Sequence, residues 1–275
     1  MPFQLDLLAP AVKPPDSDHT IELFTWNVQS PSLERARTQL EFLAGLQADA
    51  IVITELKPAS EALMYFSTSL KCSGYQVAQM PSSQPGDYCT LVCVHTPSLE
   101  QLALSAFAGT GRACAVRCDL GGHPLTLIGV YAPTTSEFAN ADQIEAKRRF
   151  HENLSSQICV LASQGEALCL MGDLNFLEPD HVPRVQAYAT WEPVYRDLIE
   201  IGLRDAYRNC QPDGRDHSWC SRSGVGQRLD HIFISDRLRP HVKSCRYVHE
   251  PRNNNLSDHS AMRLTLRRVQ QETVP

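Results

Sequence analysis

Apolar and polar positions change period along the chain, and each change marks an element. IELFTWNV (21–28) and AIVIT (50–54) are short apolar runs that predict strands, while 32–47 repeats its apolar residues every three or four positions and predicts an amphipathic helix. A second helix is predicted over 59–70. Strands follow near 75–79, 89–95, 113–119 and 125–131, then a long helix at 143–163 and the apolar run ALCLMG at 167–172. A short helix at 193–201 leads to strands at 231–235, 242–248 and 260–267. Hairpins in the middle of such a series cannot belong to a purely parallel sheet, so the pattern predicts an α/β protein with mixed sheets. Residues 1–19, with four prolines and no periodicity, and the polar 269–275 read as loose tails around one domain at 20–268.

Composition narrows the class. The 275 residues are 43% hydrophobic and 20% charged, as in ordinary globular chains and unlike disordered or fibrous ones. No apolar run is long enough to span a membrane, and MPFQLDLLAP lacks the basic start of an export signal, so a cytoplasmic protein without membrane partners is expected. Ten cysteines scattered without any C-x-x-C read as buried reduced thiols. The net charge of −6 argues against a protein held on nucleic acid by bulk charge. Its distribution qualifies this, because 204–268 holds 13 basic and 7 acidic residues, a surplus that could face a phosphate backbone.

Chemistry collects where apolar runs stop. Asn27 closes the first strand, Glu55 follows AIVIT, Asp173 and Asn175 follow ALCLMG, Asp230 precedes HIFIS, and Asp258 and His259 precede the last strand. Each alone could be a turn former; seven from five strands point to a shared site in which a metal ion or hydrogen-bond donors balance the carboxylates. No phosphate-binding glycine loop, H-E-x-x-H or G-x-S-x-G motif occurs.

These residues stand in short motifs. They are Trp26-Asn27, Thr54-Glu55-Leu56-Lys57, Gly129-Val130-Tyr131-Ala132-Pro133, Met171-Gly172-Asp173-Leu174-Asn175, Ser218-Trp219, Arg228-Leu229-Asp230 and Ser257-Asp258-His259. In this order and spacing the chain resembles the endonuclease/exonuclease/phosphatase superfamily, within it the exonuclease III-like branch of abasic-site endonucleases. The resemblance implies a four-layer α/β sandwich, two packed mixed β-sheets flanked by helices, with the site at one sheet edge. It implies Mg²⁺, replaceable by Mn²⁺, held by Glu55 with Asn27 and Asp258. Asp173 would orient or deprotonate the attacking water and Asn175 would hold it or the phosphate. His259, paired with Asp230, and Tyr131 would donate to phosphoryl and leaving oxygens; Lys57, Trp219 and Arg228 would contact substrate.

The expected function is a Mg²⁺-dependent phosphodiesterase acting on DNA, as an abasic-site endonuclease or 3′–5′ exonuclease, working as a monomer without an obligate protein partner. A phosphatase or phosphodiesterase of the same fold acting on a small-molecule or lipid phosphoester is the alternative, and a binding module without turnover is disfavoured because every charged motif position is filled. The chain departs from the family at Gln29-Ser30-Pro31 and at Thr54, where a glycine and a glutamine are usual. It also carries Cys220 and Gln227 where members that recognise abasic sites have apolar residues.

Overall fold

The computed structural model describes residues 20–84, 86–135 and 139–268, so both expected tails lie outside the described residues. The first half comprises β1 (Thr20–Asn27), α1 (Leu33–Leu46), β2 (Ala50–Leu56), α2 (Glu61–Cys72), β3 (Gln76–Gln79), β4 (Cys89–Val94), β5 (Leu99–Gln101), β6 (Ala113–Leu120) and β7 (His123–Tyr131). The second comprises α3 (Ala141–Ser163), β8 (Leu168–Asp173), α4 (Glu192–Glu200), β9 (Leu203–Asp205), α5 (Ala206–Cys210), β10 (Trp219–Cys220), β11 (Gly226–Gln227), β12 (Asp230–Ser235), β13 (Val242–Val248), α6 (Glu250–Asn253) and β14 (Ala261–Arg267). Side-chain caps start the main helices: Ser32 and Ser60 accept from the third residue onward, and Asn140 with Gln143 closes a capping box on α3.

Two six-stranded sheets result, ordered β13-β14-β1-β2-β4-β3 and β5-β6-β7-β8-β12-β9. Each is mixed, with one parallel pair, β1 with β2 and β7 with β8, among antiparallel neighbours. The expected four-layer sandwich is present. Ile21 and Leu23 of β1, Val52 of β2 and Cys169 and Met171 of β8 fill the space between the sheets. Alternate residues face outward, Phe24 and Trp26 onto α1 and α2, Leu168 and Leu170 onto α3 and α4. Burial of both faces is why these strands read as unbroken apolar runs.

Elements of two to five residues, β5, β9, β10, β11, α5 and α6, escape a periodicity reading because none completes enough repeats. All ten cysteines are free, as expected, but Cys72 and Cys159 are exposed and Cys210 and Cys220 only partly buried. No helix among the described residues is long and apolar enough to cross a membrane.

Candidate active site

Topology brings the motif residues to one edge. Because β1 and β2 run parallel, Asn27 and Glu55 leave their strands on the same side, and β14, antiparallel to β1, begins there with Asp258 and His259 before it. In the other sheet Tyr131 and Asp230 flank Asp173 in direct register on β7 and β12. Asn27 joins the sheets, its Nδ2 donating to Asp173 Oδ2 at 2.9 Å. The terminal motif is tied to the first one: Ser257 Oγ donates to the Asn27 carbonyl at 2.6 Å and Trp26 Nε1 to the His259 carbonyl at 3.3 Å.

The backbone is strained where the site is. Gln29, Ser30, Glu55 and Asn175 all adopt left-handed φ, at 54°, 42°, 62° and 50°. At Glu55 the pairing of β2 with β4 shifts register, and Ser30 donates from N and Oγ to the Glu55 carbonyl, fixing this bulge. Gly172 is required before Asp173, since a Cβ there would sit 2.0 Å from the Val130 carbonyl oxygen.

Asp173 is buried and accepts at both oxygens, from Asn27 Nδ2 and, at 3.0 Å, from the Asn175 N–H. Burial and then Asp230 raise its pKa, opposed by His259 and Asn27. Two donors on its oxygens match the ionised form, and the raised pKa gives that form a stronger affinity for a proton. Asp230 Oδ2 is 2.7 Å from His259 Nδ1. Burial alone would lower the pKa of His259, but Asp230, with Asp173 and Asp258, outweighs it and pushes the value up to about 10. We therefore expect His259 to give imidazolium ¹⁵N shifts until about pH 10, and to titrate at lower pH in Asp230→Asn, where burial meets weaker opposition from Asp173 and Asp258 alone. An unchanged titration in that variant would show that the pairing is not the cause.

Burial raises the pKa of Glu55, partly offset by Asn27 and His259. Tyr131 is pushed well above the phenol range by burial and by Glu55 and Asp173, and stays a neutral donor. Arg112 lies 5.0 Å over the Tyr131 ring and 5.1 Å over that of Tyr88, and its Nε is held 2.7 Å from Asp87, a grouping that the sequence reading missed. Trp219 is half-buried, with its Nε1 donating to Asp258 Oδ2 at 3.0 Å and its backbone bridging His259.

Arg228 corrects an expectation. It is fully buried, its guanidinium paired with Glu178 at 2.9 Å and, more tightly, with Asp205, over the Tyr207 ring. A group so enclosed holds the fold behind the site and is not free to contact substrate. Lys57 is exposed on the turn after β2. Part of the basic surplus of the C-terminal quarter is also engaged: Arg204, Arg208, Arg263 and Arg268 pair with Asp236, Glu178, Glu22 and Asp49.

Four carboxylates, Glu55, Asp173, Asp230 and Asp258, converge on one imidazole, and Oδ1 of both Asp230 and Asp258 is buried without a partner. Orphaned oxygens and an excess of acid fit a hard divalent cation. Ligand atoms of Asp173, Asp230 and His259 lie within 4.8 Å of one another, a spacing that a metal ion could use. The ring nitrogen of His259 is a poor donor for such an ion, so the oxygen donors Glu55, Asn27 and Asp258, with the unpartnered Asp230 Oδ1 beside them, are compatible with it.

A family model described as the Endonuclease/Exonuclease/phosphatase family matches residues 24–259. No curated protein matches the sequence. Among solved structures, the 3′ phosphatase NExo from Neisseria, bound to a product DNA hairpin, superposes with a TM-score of 0.75 at 20% identity, covering 89% of this chain and 98% of that one. An AP endonuclease from Archaeoglobus fulgidus gives 0.74 at 19% identity, covering 90% and 99%. The AP endonuclease LMAP from Leishmania major gives 0.70 at 18%, covering 94% and 92%. At these identities the likeness concerns the fold.

Proposed function

The chain belongs to the endonuclease/exonuclease/phosphatase family, and from that premise we propose that it is a Mg²⁺-dependent DNA nuclease of the exonuclease III type. The observation that carries this reading is the buried chain of contacts Asn27–Asp173 beside Asp230–His259, which sets a hydrogen-bonded carboxylate next to a cationic imidazole. Phosphodiester hydrolysis needs that combination, because an anion is attacked by a nucleophile that is itself becoming anionic.

Asp173 takes the proton of the attacking water. Asn175 uses one N–H on the Ala132 carbonyl at 2.8 Å, and its second N–H serves the water or a phosphoryl oxygen. His259, charged because Asp230 holds it so, donates to a phosphoryl oxygen as negative charge builds there, and Tyr131 donates to the leaving oxygen. Glu55, with Asn27 and Asp258, would hold Mg²⁺, or Mn²⁺ in its place, which supplies Lewis-acid stabilisation of the pentacovalent state when bound. Trp219, anchored by Asp258, offers its face to a sugar or base of the cleaved strand, and Lys57 is placed to meet a phosphate.

Gln227 lies opposite Trp219 in the β10–β11 pair and is buried with its side-chain oxygen unpartnered. A polar group at this place disfavours an apolar pocket for a base-free sugar and favours trimming of intact 3′ ends. The test is EDTA-sensitive cleavage measured side by side on 3′-recessed duplex, abasic duplex, RNA and a small phosphodiester. Turnover of recessed DNA ahead of the rest supports the reading; preference for the small ester transfers the site to the phosphoesterase alternative.

A further inference from the structure

Lys147, on α3, is wholly buried. It continues the inward stripe of Phe150, His151, Leu154, Ile158 and Leu161, where an apolar residue would be expected. Its ammonium donates to the Asn175 carbonyl oxygen and, at 3.4 Å, to Thr135 Oγ1, and lies 4.4 Å over the Trp191 ring and 5.4 Å over Tyr188. Among the described residues it forms no salt bridge. An ammonium buried in this way is costly, and a methionine of similar length would suit the packing better. Burial pulls its pKa down to about 7, against the opposing charge of Asp173. What lysine adds over methionine is the donated hydrogen bond, with an amine close enough to Asp173 to feel its charge.

That bond falls on a strained residue. Asn175 has left-handed φ; its N–H is held by Asp173, its amide by Ala132, and its carbonyl by Lys147. Thr135 follows the segment leaving β7, and Asn175 follows β8, so one ammonium ties together the two chain ends that carry Tyr131 and Asp173. Resting on the phosphoesterase reading above, we propose that Lys147 is a positioning residue, which holds the Asp173–Asn175 turn in its reactive geometry through the Asn175 carbonyl. Its amine is retained for function against the preference of the core.

Lys147→Met tests this. Turnover of recessed DNA is expected to fall on the order of 10²-fold, the penalty for misplacing a catalytic group by about 1 Å. KM should stay within about threefold, because the ground-state contacts remain. The thermal midpoint should be unchanged or higher. In an Asn175→Ala background the same substitution should cost less than in the wild type, since the carboxamide is gone and only Asp173 is left to position. Full turnover in Lys147→Met, losses that multiply in the double variant, or a lowered midpoint or failure to fold would each overturn the proposal, the last two by making the role structural. Should the wild type hydrolyse no phosphoester, the functional reading fails separately. The Asn175 carboxamide signals in ¹⁵N spectra then decide: loss of their protection in Lys147→Met supports the clamp, and unchanged signals overturn it.

Discussion

Asp173→Asn is expected to reduce turnover at least ~10²-fold while leaving the Mg²⁺ requirement within a few-fold of wild type, as for a displaced general base. The substitution keeps the size of the side chain and one acceptor oxygen, so Asn27 can still donate to it. It removes the charge and the proton affinity that burial and Asp230 confer. Glu55→Gln should behave differently. Glu55 stands on another strand, at a left-handed bulge beside Asn27, and its loss should raise the Mg²⁺ concentration for half-maximal rate by at least ~10-fold, as when metal-site partners are altered. Metal titrations of both variants beside the wild type separate the roles. Activity of Asp173→Asn within a few-fold of wild type would sink its assignment as the base, and matching metal curves would sink the division of labour.

The residues of the site were legible in the sequence because a polar side chain that closes or opens an apolar strand is conspicuous against its run. Asn27, Glu55, Asp173, Asp230 and His259 are all found this way, and parallel and antiparallel pairing bring their strand ends to one edge. Lys147 carried a readable signal too, a cation in the apolar stripe of a long helix, but its target lies 28 residues away on a different element. Arg228 was read as a substrate contact from its place in the Arg228-Leu229-Asp230 motif. Its partners, Asp205 and Glu178, are 23 and 50 residues away, a distance across which local patterns carry no information. The basic surplus is reduced for the same reason: some of the arginines that sum to a charged segment are drawn into ion pairs with acids from elsewhere, such as Arg263 with Glu22 and Arg268 with Asp49.

Arg228→Ala should be among the most destabilising single changes in the protein, at about 3–5 kcal/mol, because it removes one member of a buried ionic set and leaves the others charged. In a domain of this size such a loss lowers the thermal midpoint by on the order of 10 °C. Burial alone would raise the pKa of Asp205 and Glu178. Arg228 dominates the opposing effects at Asp205, whereas Arg208 and His181 precede it at Glu178, and both carboxyls end well below the ordinary range. The sign of the pH dependence follows. Carboxylates depressed in the folded state stabilise it above their unfolded pKa of about 4 and cease to do so as pH falls through the folded values. Without Arg228 the folded pKa of Asp205 rises, so the stability gap between wild type and variant should be widest near pH 7 and narrow below about pH 4. Arg208→Ala, at a partly exposed guanidinium, should cost less, since Glu178 keeps Arg228 and water can reach the vacated side. Thermal unfolding of both variants between pH 3 and 8, a range spanning the ordinary carboxylate pKa, checks this. A gap for Arg228→Ala that is small, or independent of pH, would mean that the guanidinium is not what keeps Asp205 ionised, and would reopen the substrate contact that the family resemblance implied for Arg228.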